Sequence, residues 1–444
     1  MKYIEQTKSF LLTFLVLLSV TLTLMIWSYK PDYELIEESK VEEILIGETK
    51  ALKDVLKPYR ALFYQNNEYY GTVSTNVINS IYDQLSTIHT SQLNLINSDL
   101  TDAKINEILG TNNRVTLFFN EEVPIQVFAN LLSISDKEVP DASFTRLLVD
   151  WSDIEANDQV QLLFLNTEKR TLFRASADVP NTKRFLAEVA EPAKTYSPYG
   201  EVERDSLLSL YVTQDPLNST KYTYFIDGTS TDTFKNLLFS DPNIVKGNIE
   251  SAQSEKYTDG TSLMTVDKQN RILNYVYPPA ESIAPIPSAR LLSDSFDFVN
   301  DHGGFTADYR LSSMNIGKHM TEYQLFLHGY PIYSNMTMTR IVTTWGENRI
   351  FRYRRPYYSI ESNADIPSER AVKQLPSGTE VIAGLQNDSE SSFEDIDDLV
   401  VGYYLTQDVE KGLFLLEPSW FSISNNSATR ILPEHLGGID NGLE

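Results

Sequence analysis

The longest unbroken apolar stretch runs from Phe10 to Trp27, FLLTFLVLLSVTLTLMIW, without a charged residue. As a helix it spans about 27 Å at roughly 1.5 Å per residue, close to a bilayer hydrocarbon core of about 30 Å. Lys2 and Lys8 precede it; Trp27 and Tyr29 form an aromatic interfacial pair after it, followed by Pro31 and the acids Asp32, Glu34, Glu37 and Glu38. This asymmetry predicts a single-pass anchor in the cell membrane, with the N-terminus cytoplasmic and the bulk of the chain extracytoplasmic. A cleaved signal peptide is the rival reading. Its apolar region is about 7–15 residues long and ends in a small-x-small site. The present run is longer and Ser28-Tyr29-Lys30-Pro31 offers no such site, so the anchor is expected to stay attached.

Beyond the anchor the period switches repeatedly between 2 and 3.6. PYRALFYQ and EYYGTV flank Asn66-Asn67 and predict a hairpin over Pro58–Thr72. Ser74 opens a helix whose Val77, Ile78, Ile81, Leu85 and Ile88 share a face, and Thr101–Leu109 is a second helix stopped by Gly110. A strand at Val115–Phe119 and a helix from Pro124 to Ile134 come next. Strands at Thr145–Trp151, Val160–Leu165 and Arg170–Ala175 then lead to a helix at Thr182–Ala190. Glu191–Arg204, with two prolines and a glycine, reads as a linker.

After it one order recurs three times, a short helix and then a strand meander. The helices are predicted at Thr231–Leu238, Leu292–Asn300 and Ser368–Leu375, although the three units share no sequence. The expected fold class is α+β: one N-terminal transmembrane helix, then an elongated extracytoplasmic region of antiparallel sheets with flanking helices. Expected divisions are 1–30 for the cytoplasmic start and anchor, 31–205 for an N-terminal domain, 206–288 for a central domain and 289–444 for a C-terminal domain.

Composition narrows the function. The net charge of −24 argues against nucleic acid, which demands a basic footprint. The absence of cysteine excludes a disulfide scaffold, so the cores must hold by packing alone. The chain has no P-loop, G-x-G-x-x-G, G-x-S-x-G or H-E-x-x-H motif. His89, His302, His319, His328 and His435 lack metal-ligand spacing and read as isolated surface or capping residues. The run Asp388–Asp398 lacks the central glycine and terminal glutamate of a calcium loop and reads as a solvated acidic segment. No catalytic residue, cofactor or metal site is expected.

Two features fit partner binding. Arg349, Arg352, Arg354 and Arg355 interleave with Phe351 and Tyr353, so that on a strand Arg352 and Arg354 share one face. They read either as a site for an anion or acidic partner or as an exposed face paired to neighbouring acids. In the anchor, Ser9, Thr13, Ser19 and Thr23 fall within about 120° of one another, with Val16, Val20 and Trp27 on the same arc. Small and hydroxylated residues let membrane helices approach closely and hydrogen-bond across the contact. Alternatively, those hydroxyls bond back to their own helix carbonyls. The candidate partner-binding residues are Ser9, Thr13, Val16, Val20, Thr23 and Trp27, with Arg352 and Arg354 outside the membrane.

The anchor and its exit, FLLTFLVLLSVTLTLMIWSYKPDYE, together with FDFVNDHGGFTADYRL and FLHGYPIYS, resemble the YycH (WalH) family of Gram-positive bacteria. The resemblance implies a single-pass accessory protein that partners the related YycI. Together they regulate the WalK (YycG) sensor histidine kinase of a two-component system controlling the cell wall, largely through transmembrane helices. It also implies an N-terminal domain followed by two domains shared with YycI, and no catalytic residue. A cell-surface wall-active enzyme and an extracytoplasmic ligand-binding protein are the alternative readings.

Overall fold

The computed structural model describes residues 12, 14–23, 49–129, 131, 132, 134, 139–360, 368–387 and 393–433. It divides into two units, Met1–Ile44 and Leu45–Glu444. In the first, residues 14–23 are helical, and the apolar side chains stand exposed around the whole circumference. Among the described residues no helix is long and apolar enough to cross a membrane.

The second unit is α+β and built on two large sheets. In the first sheet the strands lie in the order His89–Asn97, Thr171–Asp178, Gln159–Asn166, Ser143–Asp150, Arg114–Pro124, Arg60–Gln65, Glu68–Thr72, Ser197–Val202 and Leu210–Thr213, every pair antiparallel. The alternation of side chains along its strands makes two cores. Ala61, Phe63, Val115 and Leu117 pack against Ile81, Leu85 and Phe128, while Leu62, Phe118 and Leu148 on the other face meet Ile105, Ile108 and Leu109 of the helix Asp102–Leu109.

The second sheet begins at an edge with Lys246–Ser251, Ser254–Thr258, Leu263–Asp267 and Ile272–Val276. It continues through Ile350–Pro356, Arg340–Trp345, Met320–Leu327 and Tyr330–Tyr333 to Asp398–Asp408, Leu413–Ser424, Leu217–Phe225 and the edge strand Glu369–Leu375. Asp308–Asn315 pairs with Met320–Leu327, and Ser427–Arg430 with Leu413–Ser424. Among the described pairs the one parallel contact, Ile332 with Tyr403, joins the two halves of this sheet.

Several expected elements are in place, including the helices Thr75–Thr87, Asp102–Leu109 and Thr231–Leu238 and the Asn66-Asn67 turn, whose φ values are 54° and 59°. Two expectations are overturned. The segment 191–204 is not a linker: it holds a 3₁₀ turn, Glu191–Thr195, and a strand, Ser197–Val202, whose partners are Glu68–Thr72 and Leu210–Thr213. The third helix is not at 368–375. Glu369–Leu375 is a strand with a seven-residue ladder onto Leu217–Phe225, which outweighs its weak helical spacing.

The helix comes after Pro376, at Gly378–Asn387, and starts on a reciprocal cap. Ser377 Oγ accepts from Glu380 N at 3.2 Å, and Ser377 N donates to the Glu380 carboxylate at 2.8 Å. The S-x-x-E spacing of Ser377 and Glu380 was the signal for it.

Candidate functional site

Of the anchor positions, Ser9, Thr13 and Trp27 lie outside the described residues. Val16, Val20 and Thr23 lie on the described helix and are exposed. The hydroxyls of Thr21 and Thr23 donate back to Leu17 and Ser19 carbonyls, each at 2.8 Å. Thr23 therefore offers a partner its shape rather than a free donor.

The four arginines of the basic segment divide according to the strand Ile350–Pro356. Arg355 is fully buried. Its guanidinium donates to the carbonyls of Gly304 (3.0 Å) and Pro356 (3.1 Å), the Tyr353 hydroxyl (2.9 Å) and Thr306 Oγ1 (3.3 Å), so it is part of the core. Arg349 lies over the Tyr277 ring at 4.1 Å. Arg352 and Arg354 are exposed together on the solvent side, with Tyr353 buried between them on the other. No described residue forms an ion pair with either.

Charged groups that sequence reasoning did not bring together meet where the two sheets touch. Arg60 opens the strand Arg60–Gln65 with Tyr59 just before it, and Asp398 opens Asp398–Asp408. Arg60 Nη2 reaches the two Asp398 oxygens at 2.9 and 3.2 Å, and Nη1 donates to the Tyr211 carbonyl at 3.1 Å. The Tyr59 hydroxyl and Leu399 N donate to the same carboxylate. The Arg60 guanidinium stands over the Phe118 ring at 4.4 Å.

Burial, then the Asp398 charge, holds the Tyr59 hydroxyl well above its ordinary range. Burial opposes the charge on Arg60, but Asp398 more than offsets this and keeps the guanidinium protonated. Arg310 makes the reciprocal connection from the second sheet. It is fully buried, is held by Asp308 at 2.8 Å, and donates to the Pro58 carbonyl (2.9 Å) and Thr75 Oγ1 (3.1 Å).

Asp398 was expected to be solvated with the rest of its acidic run. It is buried instead, because a carboxylate that accepts four hydrogen bonds from three donors, Tyr59 Oη, Arg60 Nη2 and Leu399 N, no longer depends on water. A sequence signal did exist: Arg60 and Arg310 each stand beside apolar strand residues, where an isolated charge implies a buried partner.

Cavities of about 740 and 810 Å³ border this clasp, the first lined by Arg60 and the second by Asp398, and Tyr59, Pro331 and Val400 line both. The clasp's titratable groups serve one another, an arrangement that fastens two sheets together. Three of the histidines have structural places, and His435 lies outside the described residues. His319 and His328 hold positive φ at the two ends of the strand Met320–Leu327. His302 stacks on Phe298 at 3.9 Å, and burial lowers its pKa. Among the described residues no group of three His, Asp or Glu could hold a metal ion.

The sequence model of the YycH protein N-terminal domain matches residues 5–190, and that of the YycH protein C-terminal domain matches residues 208–432. The chain is 22% identical over 458 aligned residues to the "Two-component system WalR/WalK regulatory protein YycH" of Bacillus subtilis (strain 168), covering 99% of each chain. The crystal structure of YycH from Bacillus subtilis superposes with a TM-score of 0.75 at 20% identity, over 88% of this chain and 99% of that one, which establishes a shared fold. Matches to both domains, together spanning most of the sequence, place this chain in the YycH family.

Proposed function

We propose that this chain is a membrane-anchored, non-catalytic regulator of a WalK-type sensor histidine kinase in a two-component system, working beside a YycI-like accessory protein. The observation that carries this reading is the end-to-end similarity to a WalR/WalK regulatory protein, 99% of each chain. The anchor reading is supported by the uncharged run Phe10–Trp27. The all-round apolar exposure of residues 14–23 also supports it, since a helix apolar on every side needs lipid or protein around it. On this reading the N-terminus is cytoplasmic and the two sheets lie outside, with Ser9, Thr13, Val16, Val20, Thr23 and Trp27 facing partner helices.

Packing in lipid gains nothing from apolar burial and depends on close approach. Replacing Thr13 and Thr23 with leucine keeps the helix apolar while adding bulk at the contact. The matched control, Leu15 and Leu22 to isoleucine, alters positions off the arc. A two-hybrid assay in membranes should show the threonine variant losing association with the kinase or the YycI-like protein at normal abundance. Equal association in variant and control would reject this face.

A further inference from the structure

The part of the second sheet formed by Leu263–Asp267, Ile272–Val276, Ile350–Pro356 and Arg340–Trp345 buries one face only. Met264, Leu273, Tyr275, Tyr353 and Ile341 point into a core closed by Phe234 of the helix Thr231–Leu238 and by Leu292 and Phe296 of the helix Ser288–Asp301. On the opposite face Arg352 and Arg354 are exposed and the residues around them are half-buried. The strand register sets Thr265, Asn274, Arg354 and Val342 in one row, and Leu263, Val276, Arg352 and Thr344 in the next. None of these eight is buried. Arg352 and Arg354 thus rise from a field of aliphatic and small polar side chains, with no described ion-pair partner, on a chain of net charge −24. Two cations without a described ion-pair partner, set on an acidic chain, are the pattern that steers and orients an acidic partner.

The chemistry of the patch selects the kind of partner. Phosphate or a lipid headgroup would use the arginines but leave the still accessible parts of Leu263, Val276 and Val342 uncovered. An extended peptide lying across a sheet face would leave its own backbone groups unpaired. A helix satisfies its backbone internally, and helices already cover the other face of this sheet. The two arginines are two strand steps apart, roughly 6.8 Å. Carboxylates four residues apart on a helix are separated by about 6 Å along its axis.

We propose that the face bearing Arg352 and Arg354 docks an amphipathic helix of a partner protein, one that carries a leucine-like stripe flanked by two carboxylates at i and i+4. The proposal rests on the reading of the chain as a regulator that binds partners, and it adds the chemistry of the outer contact.

The test uses the full chain in nanodiscs and a fluorescent synthetic helical peptide with a leucine stripe and Glu pairs at i and i+4. Saturable binding is expected, roughly tenfold weaker for the double variant Arg352→Glu, Arg354→Glu, and restored when the peptide's glutamates become lysines. Substituting Val276 and Val342 with threonine, which keeps the β-branched shape the strands favour, should weaken binding with little change in the thermal midpoint. Equal binding by wild type and the glutamate variant overturns the proposal. So does an absence of binding, or equally tight binding of leucine-free polyglutamate or of anionic vesicles. Kinase association is measured alongside in the membrane two-hybrid assay. Intact association without peptide binding sinks the docking face alone, whereas peptide binding without kinase association sinks the regulatory reading.

Discussion

Glu121 sits in the strand Arg114–Pro124 and accepts Met314 N from the second sheet at 2.9 Å and Glu122 N at 2.8 Å. Burial pushes its carboxyl up to about 7 against those two hydrogen bonds, and Glu168 and Glu122 add repulsion. Because the folded value lies above the ordinary one near 4.5, this group's contribution to stability is fully present below about pH 4.5 and is lost as pH rises through about 7. Glu121→Gln mimics the protonated form. The difference in urea-unfolding free energy between wild type and variant should therefore shift against the wild type between pH 5 and pH 8, by about 2–3 kcal/mol. A constant difference across that range would show that the carboxyl is not perturbed. No motif marks Glu121 in the sequence: burial in the fold raises its pKa, and the Met314 N–H that opposes the shift comes from 193 residues away.

The hairpin between Met320–Leu327 and Tyr330–Tyr333 turns on two residues, His328 and Gly329, with φ of 51° and 85°. Two consecutive positive φ values make the turn that matches strand twist. Its second position also approaches another backbone, since a Cβ on Gly329 would lie 2.1 Å from the Val73 carbonyl oxygen. Gly329→Ala should lose about 2–4 kcal/mol in urea titration, whereas His328→Asn, a residue tolerant of the left-handed region, should be near neutral. Similar midpoints for Gly329→Ala and wild type would mean that the turn can move away from Val73. This element also explains the family-like FLHGYPIYS segment. Its histidine reads as an isolated surface or capping residue in sequence and is a turn residue in the fold. Glu369–Leu375 teaches a similar lesson, because local spacing suggests a helix and the ladder to Leu217–Phe225 makes a strand.

One apolar cluster contains Ala61 and Phe63 of the first sheet as well as Tyr275 and Tyr353 of the second, and Phe326 of the second sheet enters the other core of the first. The Arg60–Asp398 and Arg310–Pro58 connections cross the same boundary. Residues 45–444 should therefore unfold as one cooperative unit. Trp151 reports on the first sheet and Trp420 on the second, so single-tryptophan versions followed in urea should give coincident transitions. Arg310→Met should lower both midpoints together, because it unpairs the half-buried Asp308 carboxylate and removes the donors to Pro58 and Thr75, at a cost of about 2–3 kcal/mol. Two separated transitions would contradict a shared core.

What the sequence determined by itself is local or compositional: the uncharged run Phe10–Trp27, the α+β class, the helices with strong apolar faces, the Asn66-Asn67 turn and the alternation of Arg352 and Arg354 with Tyr353. These follow from periodicity and from backbone preferences that act within a few residues. Tertiary structure decided the rest. Asp398 found Arg60 across 338 residues, and Arg355 left the basic cluster for the core while Arg352 and Arg354 stayed outside. The segments at 191–204 and 369–375 became strands only because partner strands were already there to pair with them. Buried charge and strand pairing are settled by which distant groups can satisfy them, and that information is not carried by any single stretch of the chain.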